Sequence, residues 1–316
     1  MHADVDGSFA LCLTHDVDRP YKTYQALYDA LRERSLRPLR AVAPRTNPFW
    51  QFDDITALES DLGVRSAFYL LNEPSLFRQP WRAWTEPTHW LEHLGRYDVT
   101  ADDIRALVDR LEAGGWEVGL HGSYHSPGDP GRLGREKRVL ESMTDRPVVG
   151  GRQHHLRLGA DSWHHHRAIG LRYDASLGSS SSYGFRWGYR PRRPFDDDFV
   201  VFPLTAMEVA LPDPGERFAD AWEACRDLLV EAARNDAVMT VLWHPRYFNE
   251  REFPGYRRLY RRLVEHALEL GAWVGPPRAL YERLDYDRGT DPITSDPTAV
   301  DGFERGVESS ERPTSH

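Results

Sequence analysis

Acidic and histidine side chains directly follow an apolar run near the start of this 316-residue chain. The run Phe9–Leu13 is followed by Thr14-His15-Asp16-Val17-Asp18. Such a run is typical of a buried strand, and the alternation of strand side chains places Asp16 and Asp18 on the same side. Two neighbouring carboxylates repel each other unless a cation or a shared proton lies between them. The pattern indicates a cation-binding or acid-base site, and a polar turn is the alternative.

Four later apolar runs also end in ionisable residues. The residues at these ends are His121 and His125, Arg152 and His154, Asp174, and His244. Strand-like and helix-like segments alternate along the chain, which predicts βαβ units, a parallel sheet and an α/β barrel. The carboxyl ends of barrel strands meet at one face, so we expect these residues to form one active site there.

The spacing of His121 and His125 is suited to metal binding. Two imidazoles four residues apart on one helical turn face the same way and, with a carboxylate, can hold one divalent ion with positions left open. His89 and His93 have the same spacing, but no strand precedes them, so we favour the first pair. The run His164–His166 is less suited, because successive helical residues do not share a face.

The barrel is expected to span residues 1–284. Within it, residues 72–97 are predicted to be a long loop or insertion near the site. Residues 285–316 are acidic and rich in Ser, Thr and Pro, which predicts a disordered tail.

The net charge of −9 provides no basic excess, which argues against nucleic acid as a partner. No apolar run is long enough to predict a membrane span. The first residues lack a secretion signal, so we expect a cytoplasmic protein. Cys12 and Cys225 are expected to be buried thiols and not a disulfide.

Taken in chain order, five motifs resemble those of polysaccharide deacetylases with the NodB-homology domain, carbohydrate esterase family 4. The family's Thr-Phe-Asp-Asp-Gly corresponds to residues 14–18, its His-Ser/Thr-x-x-His to 121–125, its Arg-x-Pro-Tyr to 152–155, its motif centred on Asp to Asp174, and its Leu-x-His to 242–244. The resemblance covers about Phe9 to Leu284 and implies a distorted, incomplete (β/α) barrel of seven or eight strands. Val17 separates the two acids, and the third motif lacks its Pro and Tyr, as in a divergent Thr-His-Asp-Val-Asp branch.

The resemblance implies a metal-dependent hydrolase that removes an N-acetyl group from an amino sugar. The implied catalytic residues are Asp16 as base and His244 as acid, and the implied metal ligands are Asp18, His121 and His125. Arg152 would orient Asp16, and Asp174 would raise the pKa of His244. His154 and Tyr124 would bind the substrate. Which of Asp16 and Asp18 is ligand and which is base stays open. The implied cofactor is one divalent metal ion, with Zn²⁺ favoured over Co²⁺ or Fe²⁺.

The substrate classes that fit are an N-acetyl sugar of a glycan, a glycolipid or a nucleotide-linked precursor. Hydrolysis of a non-sugar amide on the same barrel is a second hypothesis. A glycan-binding module without turnover is a third. For Arg152 with Asp174, a structural salt bridge is the alternative to a catalytic role, and the oligomeric state is not predicted.

Overall fold

The computed structural model describes residues 9–22, 47–73 and 97–284. The strands among these residues are β1 Ala10–Val17, β2 Ala67–Leu71, β3 Glu117–Gly122, β4 Gly150–Gln153, β5 Tyr173–Asp174, β6 Val200–Val201, β7 Leu204–Met207, β8 Val238–Leu242 and β9 Trp273–Gly275. The helices are α1 Phe52–Asp61, α2 Asp102–Ala113, α3 Pro130–Glu141, α4 Ser162–Ala168, α5 Phe218–Arg234, α6 Tyr256–Glu269 and α7 Pro277–Tyr281.

The strands form one sheet in the order β6-β5-β4-β3-β2-β1-β8-β7, and β9 pairs with β1 at its amino end. The pairings between these nine described strands are all parallel. The sheet curls into an incomplete barrel with helices outside, which confirms the predicted α/β fold class. The segment after β5 lines the open side, where Leu204 N donates to Leu177 O and Gly184 N donates to Thr205 O, both at 2.8 Å.

The alternation of side chains along β1 separates two buried layers. Leu11, Leu13 and Val17 belong to the large apolar cluster between the sheet and the helices. Cys12 belongs to the smaller cluster inside the curled sheet, together with Tyr69. Cys12 and Cys225 are both buried free thiols, as predicted.

Glycines allow two large tyrosines to lie flat across the inner face of the sheet. A Cβ on Gly150 would lie 1.9 Å from the ring of Tyr173, and one on Gly119 would lie 2.5 Å from the ring of Tyr69. The two hydroxyl groups are 3.1 Å apart, and Tyr173 donates to Glu117. The apolar cluster inside the curled sheet therefore includes Tyr69 and Tyr173, which form a chain of hydrogen-bonded side chains with Glu117.

Two strand bounds differ from the sequence prediction in ways that matter for the site. β3 continues through Gly122, so His121 lies on a strand and not on a helical turn. The apolar run over residues 199–204 predicts a single strand, whereas the structure has two, β6 and β7, and β7 ends at Met207. Helical spacing also predicts a helix over residues 21–34, most of which lies outside the described residues. The same holds for nearly all of the 72–97 insertion, for His89 and His93, and for the 285–316 tail.

Among the helices of the described residues, none has the length and apolar character to cross a bilayer. The predicted compartment remains a prediction.

Glu117 provides a test of the packing inside the barrel. Burial raises the pKa of its carboxyl group to about 7. A raised pKa means that the folded chain holds this proton more tightly than the unfolded chain, so the associated stability is present below pH 4.5 and is lost as the pH rises through about 7. Glu117→Gln stays neutral and does not lose this contribution. Between pH 5 and pH 8 the free energy of unfolding of the wild type should therefore fall by up to about 3 kcal/mol relative to that of the variant.

Urea unfolding across this pH range measures the difference, with the exposed Glu216→Gln as the matched control. Parallel stability curves for Glu117→Gln and wild type would contradict the prediction.

Candidate metal and catalytic site

The carboxylate of Asp18 lies at the centre of a group of histidines at the carboxyl edge of the sheet. Its Oδ1 is 2.9 Å from His121 Nε2 and 3.8 Å from His154 Nε2. Its Oδ2 is 3.2 Å from His244 Nε2. Although burial opposes it, the three imidazoles hold the pKa of Asp18 well below its ordinary value. The carboxylate is therefore an anion aimed at three ring nitrogens.

The ring of His121 has a fixed orientation that exposes one lone pair to Asp18. Its Nδ1 is 2.9 Å from the carbonyl oxygen of Arg152, which can only accept, so Nδ1 carries the proton. In the neutral ring Nε2 then carries a lone pair that faces Asp18 Oδ1. This buried oxygen has no hydrogen-bond donor among the described residues. Two facing lone pairs need a proton or a cation between them. This orphaned oxygen and the backbone-anchored imidazole fit a metal site.

His154 completes a set of three ligand atoms. The donor atoms of Asp18, His121 and His154 lie within 4.8 Å of one another. On the far side of the His154 ring, Glu73 Oε1 is 3.7 Å from Nδ1. Two nitrogens and one carboxylate oxygen suit Zn²⁺, Co²⁺ or Fe²⁺ and leave positions open for water and substrate.

The backbone turns back sharply after His154. His155 and Leu156 have φ of 55° and 56°, in the left-handed region that non-glycine residues seldom adopt. Each such residue costs on the order of 1–3 kcal/mol. The turn buries Leu156 in the core and leaves the His154 side chain at the strand end.

His125 does not join this group. The prediction that it shares a face with His121 assumed a helical turn, whereas His121 lies on β3 and His125 lies on the exposed turn that follows. Ser123 fixes that turn, because its N and Oγ both donate to the buried carboxylate of Glu136. His154, expected only to line the site, belongs to the group of side chains that could hold a metal ion, and His125 does not.

Asp16 lies inside the barrel edge with Arg152, as expected from the motifs. Arg152 Nη1 donates to Asp16 Oδ1 at 2.8 Å and to Thr14 Oγ1 at 2.9 Å, and Arg152 Nε donates to Ala175 O. Both charged side chains are buried, which fixes the orientation of the carboxylate. Asp16 Oδ2 is 3.8 Å from His121 Nε2, so the carboxylate borders the ligand group.

His244 is paired with Glu208, a residue that the sequence analysis missed. Its Nδ1 is 2.6 Å from Glu208 Oε1, and Glu208 is fully buried. Although burial opposes it, Glu208 and Asp18 raise the pKa of His244 to about 10. The arrangement can hold a proton on Nε2, facing the site.

Asp174 does not contact His244, and this corrects the expected pairing. Its carboxylate lies 3.2 Å from His166 Nδ1, accepts from Trp163 Nε1 at 3.1 Å and accepts from Ser176. Asp174 thus holds helix α4 against β5. The predicted effect on His244 comes from Glu208 instead.

Glu208 directly follows β7, at the same edge of the sheet as the other residues. Because Glu208 follows the end of a strand, the expectation that site residues lie at strand ends applies to it as well. The sequence gives no sign that β7 is a strand distinct from β6, and this is why Glu208 was missed.

Tyr124 lies half-buried beside the ligand group. The guanidinium of Arg157 is 4.1 Å above its ring, and the ring of His155 meets it edge-on at 5.7 Å. This ledge of stacked side chains is suited to contact a substrate.

No protein-family model matches the chain, and no curated protein matches it. Solved structures do match in fold. A protein described as a polysaccharide deacetylase from Mycobacterium smegmatis is 16% identical, with a TM-score of 0.60, over 92% of this chain and 97% of that chain. Another so described, from Pseudomonas aeruginosa PAO1, is 12% identical, with a TM-score of 0.55, over 90% and 94%. PuuE allantoinase is 15% identical, with a TM-score of 0.55, over 89% and 91%. The predicted resemblance to polysaccharide deacetylases is thus confirmed for the fold.

The ligand group leads to a prediction about metal affinity. If His154 is a ligand, His154→Ala should weaken Zn²⁺ binding by more than the roughly 10- to 100-fold that loss of a supporting residue causes. His125→Ala should leave the affinity within about 3-fold of wild type, because His125 lies on the exposed turn outside the group. Competition with a chromogenic chelator measures both. The reverse ranking of the two variants would show that His125 is the ligand.

Proposed function

We propose that this protein is a metal-dependent hydrolase that removes an N-acetyl group from an amino sugar. The observation that supports the proposal is the arrangement around Asp18. A buried carboxylate held by Arg152 lies 3.8 Å from His121 of the ligand group, and an imidazole backed by Glu208 lies 3.2 Å from Asp18. Amide hydrolysis needs a base for the attacking water and an acid for the leaving amine, and this geometry offers both.

Asp18, His121 and His154 would hold one divalent ion, for which we propose Zn²⁺. When bound, the ion supplies a Lewis acid that lowers the pKa of water and polarises the acetyl carbonyl. The Nδ1–H bond of His121 to the Arg152 carbonyl keeps Nε2 free for this role.

Asp16 is the proposed base. Its Oδ1 is occupied by Arg152, so Oδ2 is the oxygen that accepts the proton of the attacking water. Because Arg152 also binds Thr14 and Ala175, the carboxylate is held in one orientation through the reaction.

His244 is the proposed acid. Glu208 accepts from Nδ1, which directs the Nε2 proton towards the site. Donation of this proton allows the nitrogen to leave as a neutral amine. Arg246, two residues later, is half-buried, and although burial opposes it, Asp18 and Glu208 raise its pKa, so it remains a cation beside the acid.

We propose an N-acetyl sugar of a glycan, glycolipid or nucleotide-linked precursor as the substrate class. The ledge formed by Tyr124 and Arg157 supports a sugar ring as a ligand, since aromatic faces pack against such rings. The second candidate is a non-sugar amide. It is favoured by His154-His155, which stand where the deacetylase motif has Pro and Tyr.

Acetate release by the Zn²⁺-loaded protein tests the proposal. N-acetylglucosamine oligomers and nucleotide-linked N-acetyl sugars are the first substrates, and allantoin and simple linear amides are the alternatives. Asp16→Asn should lower kcat by about 10²- to 10⁴-fold while Zn²⁺ affinity is retained, because it removes the proton acceptor and keeps the side-chain volume. Metal binding without hydrolysis of any of these amides would favour a binding module.

Glu208 and Asp174 should differ in their effect on turnover. Glu208→Gln removes the carboxylate that orients His244 and should lower kcat by about 10- to 100-fold with a smaller change in KM. Asp174→Asn should lower the melting temperature and leave kcat of the folded protein within about 3-fold of wild type. Steady-state kinetics and thermal unfolding of the two variants provide the comparison. A larger loss of kcat in Asp174→Asn would restore the assignment made from the motifs.

A further inference from the structure

A cluster of polar side chains is buried on the helix-facing side of β1, opposite the reaction centre. The carboxylate of Glu59 accepts from Tyr260 Oη at 2.6 Å, from Ser66 Oγ at 2.9 Å and from Trp116 Nε1 at 2.6 Å. It also lies 3.0 Å from His15 Nε2. His15, Glu59, Ser66 and Tyr260 are all fully buried.

The second nitrogen of His15 bonds to the strand that carries His244. Its Nδ1 contacts the carbonyl oxygen of Trp243, which can only accept, so Nδ1 donates. The backbone register between β1 and β8 ends at Thr14 with Leu242, and Trp243 N donates to Thr14 O at 3.0 Å. The bond from His15 Nδ1 to Trp243 O continues this series of β1–β8 hydrogen bonds towards the carboxyl edge of the sheet. It differs from the others because a side chain and not the backbone donates.

Packing alone does not account for this histidine. The neighbouring positions on the same face are apolar, among them Leu13, Val17 and Phe68. A buried imidazole–carboxylate pair adds little net stability compared with apolar side chains of the same volume. A directional hydrogen bond is what His15 supplies and an apolar residue could not.

We propose that His15 is a positioning residue for the acid of the reaction. Through the Trp243 carbonyl it holds His244 in register with Asp18. This inference rests on the function proposed above. The ligand group comes from the ends of β1, β3 and β4, whereas His244 and Glu208 come from the ends of β8 and β7. The pairing of β1 with β8 connects the ligand group to His244 and Glu208. The His15–Trp243 bond is the part of this connection nearest the site.

Two substitutions separate the bonds of His15. The amide of Asn reaches the position of Nδ1, so His15→Asn keeps a donor to Trp243. The amide of Gln reaches the position of Nε2, so His15→Gln keeps the contact with Glu59 and loses the bond to Trp243. Tyr260→Phe is the matched control, because it removes a hydroxyl from the same cluster and leaves the Trp243 bond in place.

Two substrates separate acid catalysis from the other steps. An amide needs protonation of its leaving nitrogen, whereas p-nitrophenyl acetate releases a phenolate that needs no proton. For His15→Gln we expect kcat on the N-acetyl sugar to fall by about 10- to 100-fold with KM within about 3-fold, and the rate on the aryl ester to fall by less than about 3-fold. Zn²⁺ affinity should be unchanged. His15→Asn and Tyr260→Phe should stay close to wild type on both substrates.

Equal losses on the two substrates, or equal losses in His15→Gln and His15→Asn, would overturn the proposal. If His15→Gln does not fold, the test is the ratio of the amide rate to the ester rate in His15→Asn. This variant keeps the Trp243 bond, so a fall in the ratio would contradict the proposal. An active wild type with an unaffected His15→Gln rejects this inference alone. A wild type that releases no acetate from any amide rejects the proposed function and this inference with it.

Discussion

The alternation of side chains over Thr14–Asp18 is the constraint on which the rest of the site depends. Asp16 and Asp18 face the open end of the barrel, where they meet Arg152 and the histidines. His15, between them in sequence, faces the helices and meets Glu59. A shift of one residue in the pairing of β1 would exchange these faces and bury the carboxylates among apolar side chains. The five parallel pairs between β1 and β8 fix that register.

Two carboxylates this close together repel each other unless positive charge compensates them. Arg152 compensates Asp16 through a bond of 2.8 Å inside the barrel. Asp18 faces imidazoles instead, and within the part of the chain that the structure describes its Oδ1 has no hydrogen-bond donor. An unpaired buried charge is strongly unfavourable, so this buried oxygen favours a bound cation. The different partners of the two acids therefore divide their roles. Asp16 has a fixed guanidinium and suits proton transfer, and Asp18 faces nitrogen lone pairs and suits a metal.

The parallel sheet and most of the strand ends could be predicted, because apolar runs bounded by polar residues indicate buried strands. Asp16, Asp18, His121, Arg152 and His244 were found in this way, and each lies at the carboxyl edge of the sheet. Local conformation could not be predicted as well. The helical turn expected at His121 is a strand, since β-pairing with β2 and β4 overrides a spacing argument. Sequence spacing alone does not reveal which later residue will fold back onto the same point.

Glu208 and His154 show why such residues escape a motif analysis. His154 reaches the ligand group because the next two residues adopt left-handed conformations, and that turn has no glycine to signal it. Glu208 reaches His244 because β7 pairs with β8 in parallel, so that the carboxyl ends of both strands lie side by side. Any strand paired with β8 could place a carboxylate beside His244 at the carboxyl edge of the sheet. The contact of His244 is therefore set by sheet order, and a motif in another part of the chain, such as that of Asp174 on β5, cannot supply it when β5 lies five strands away from β8.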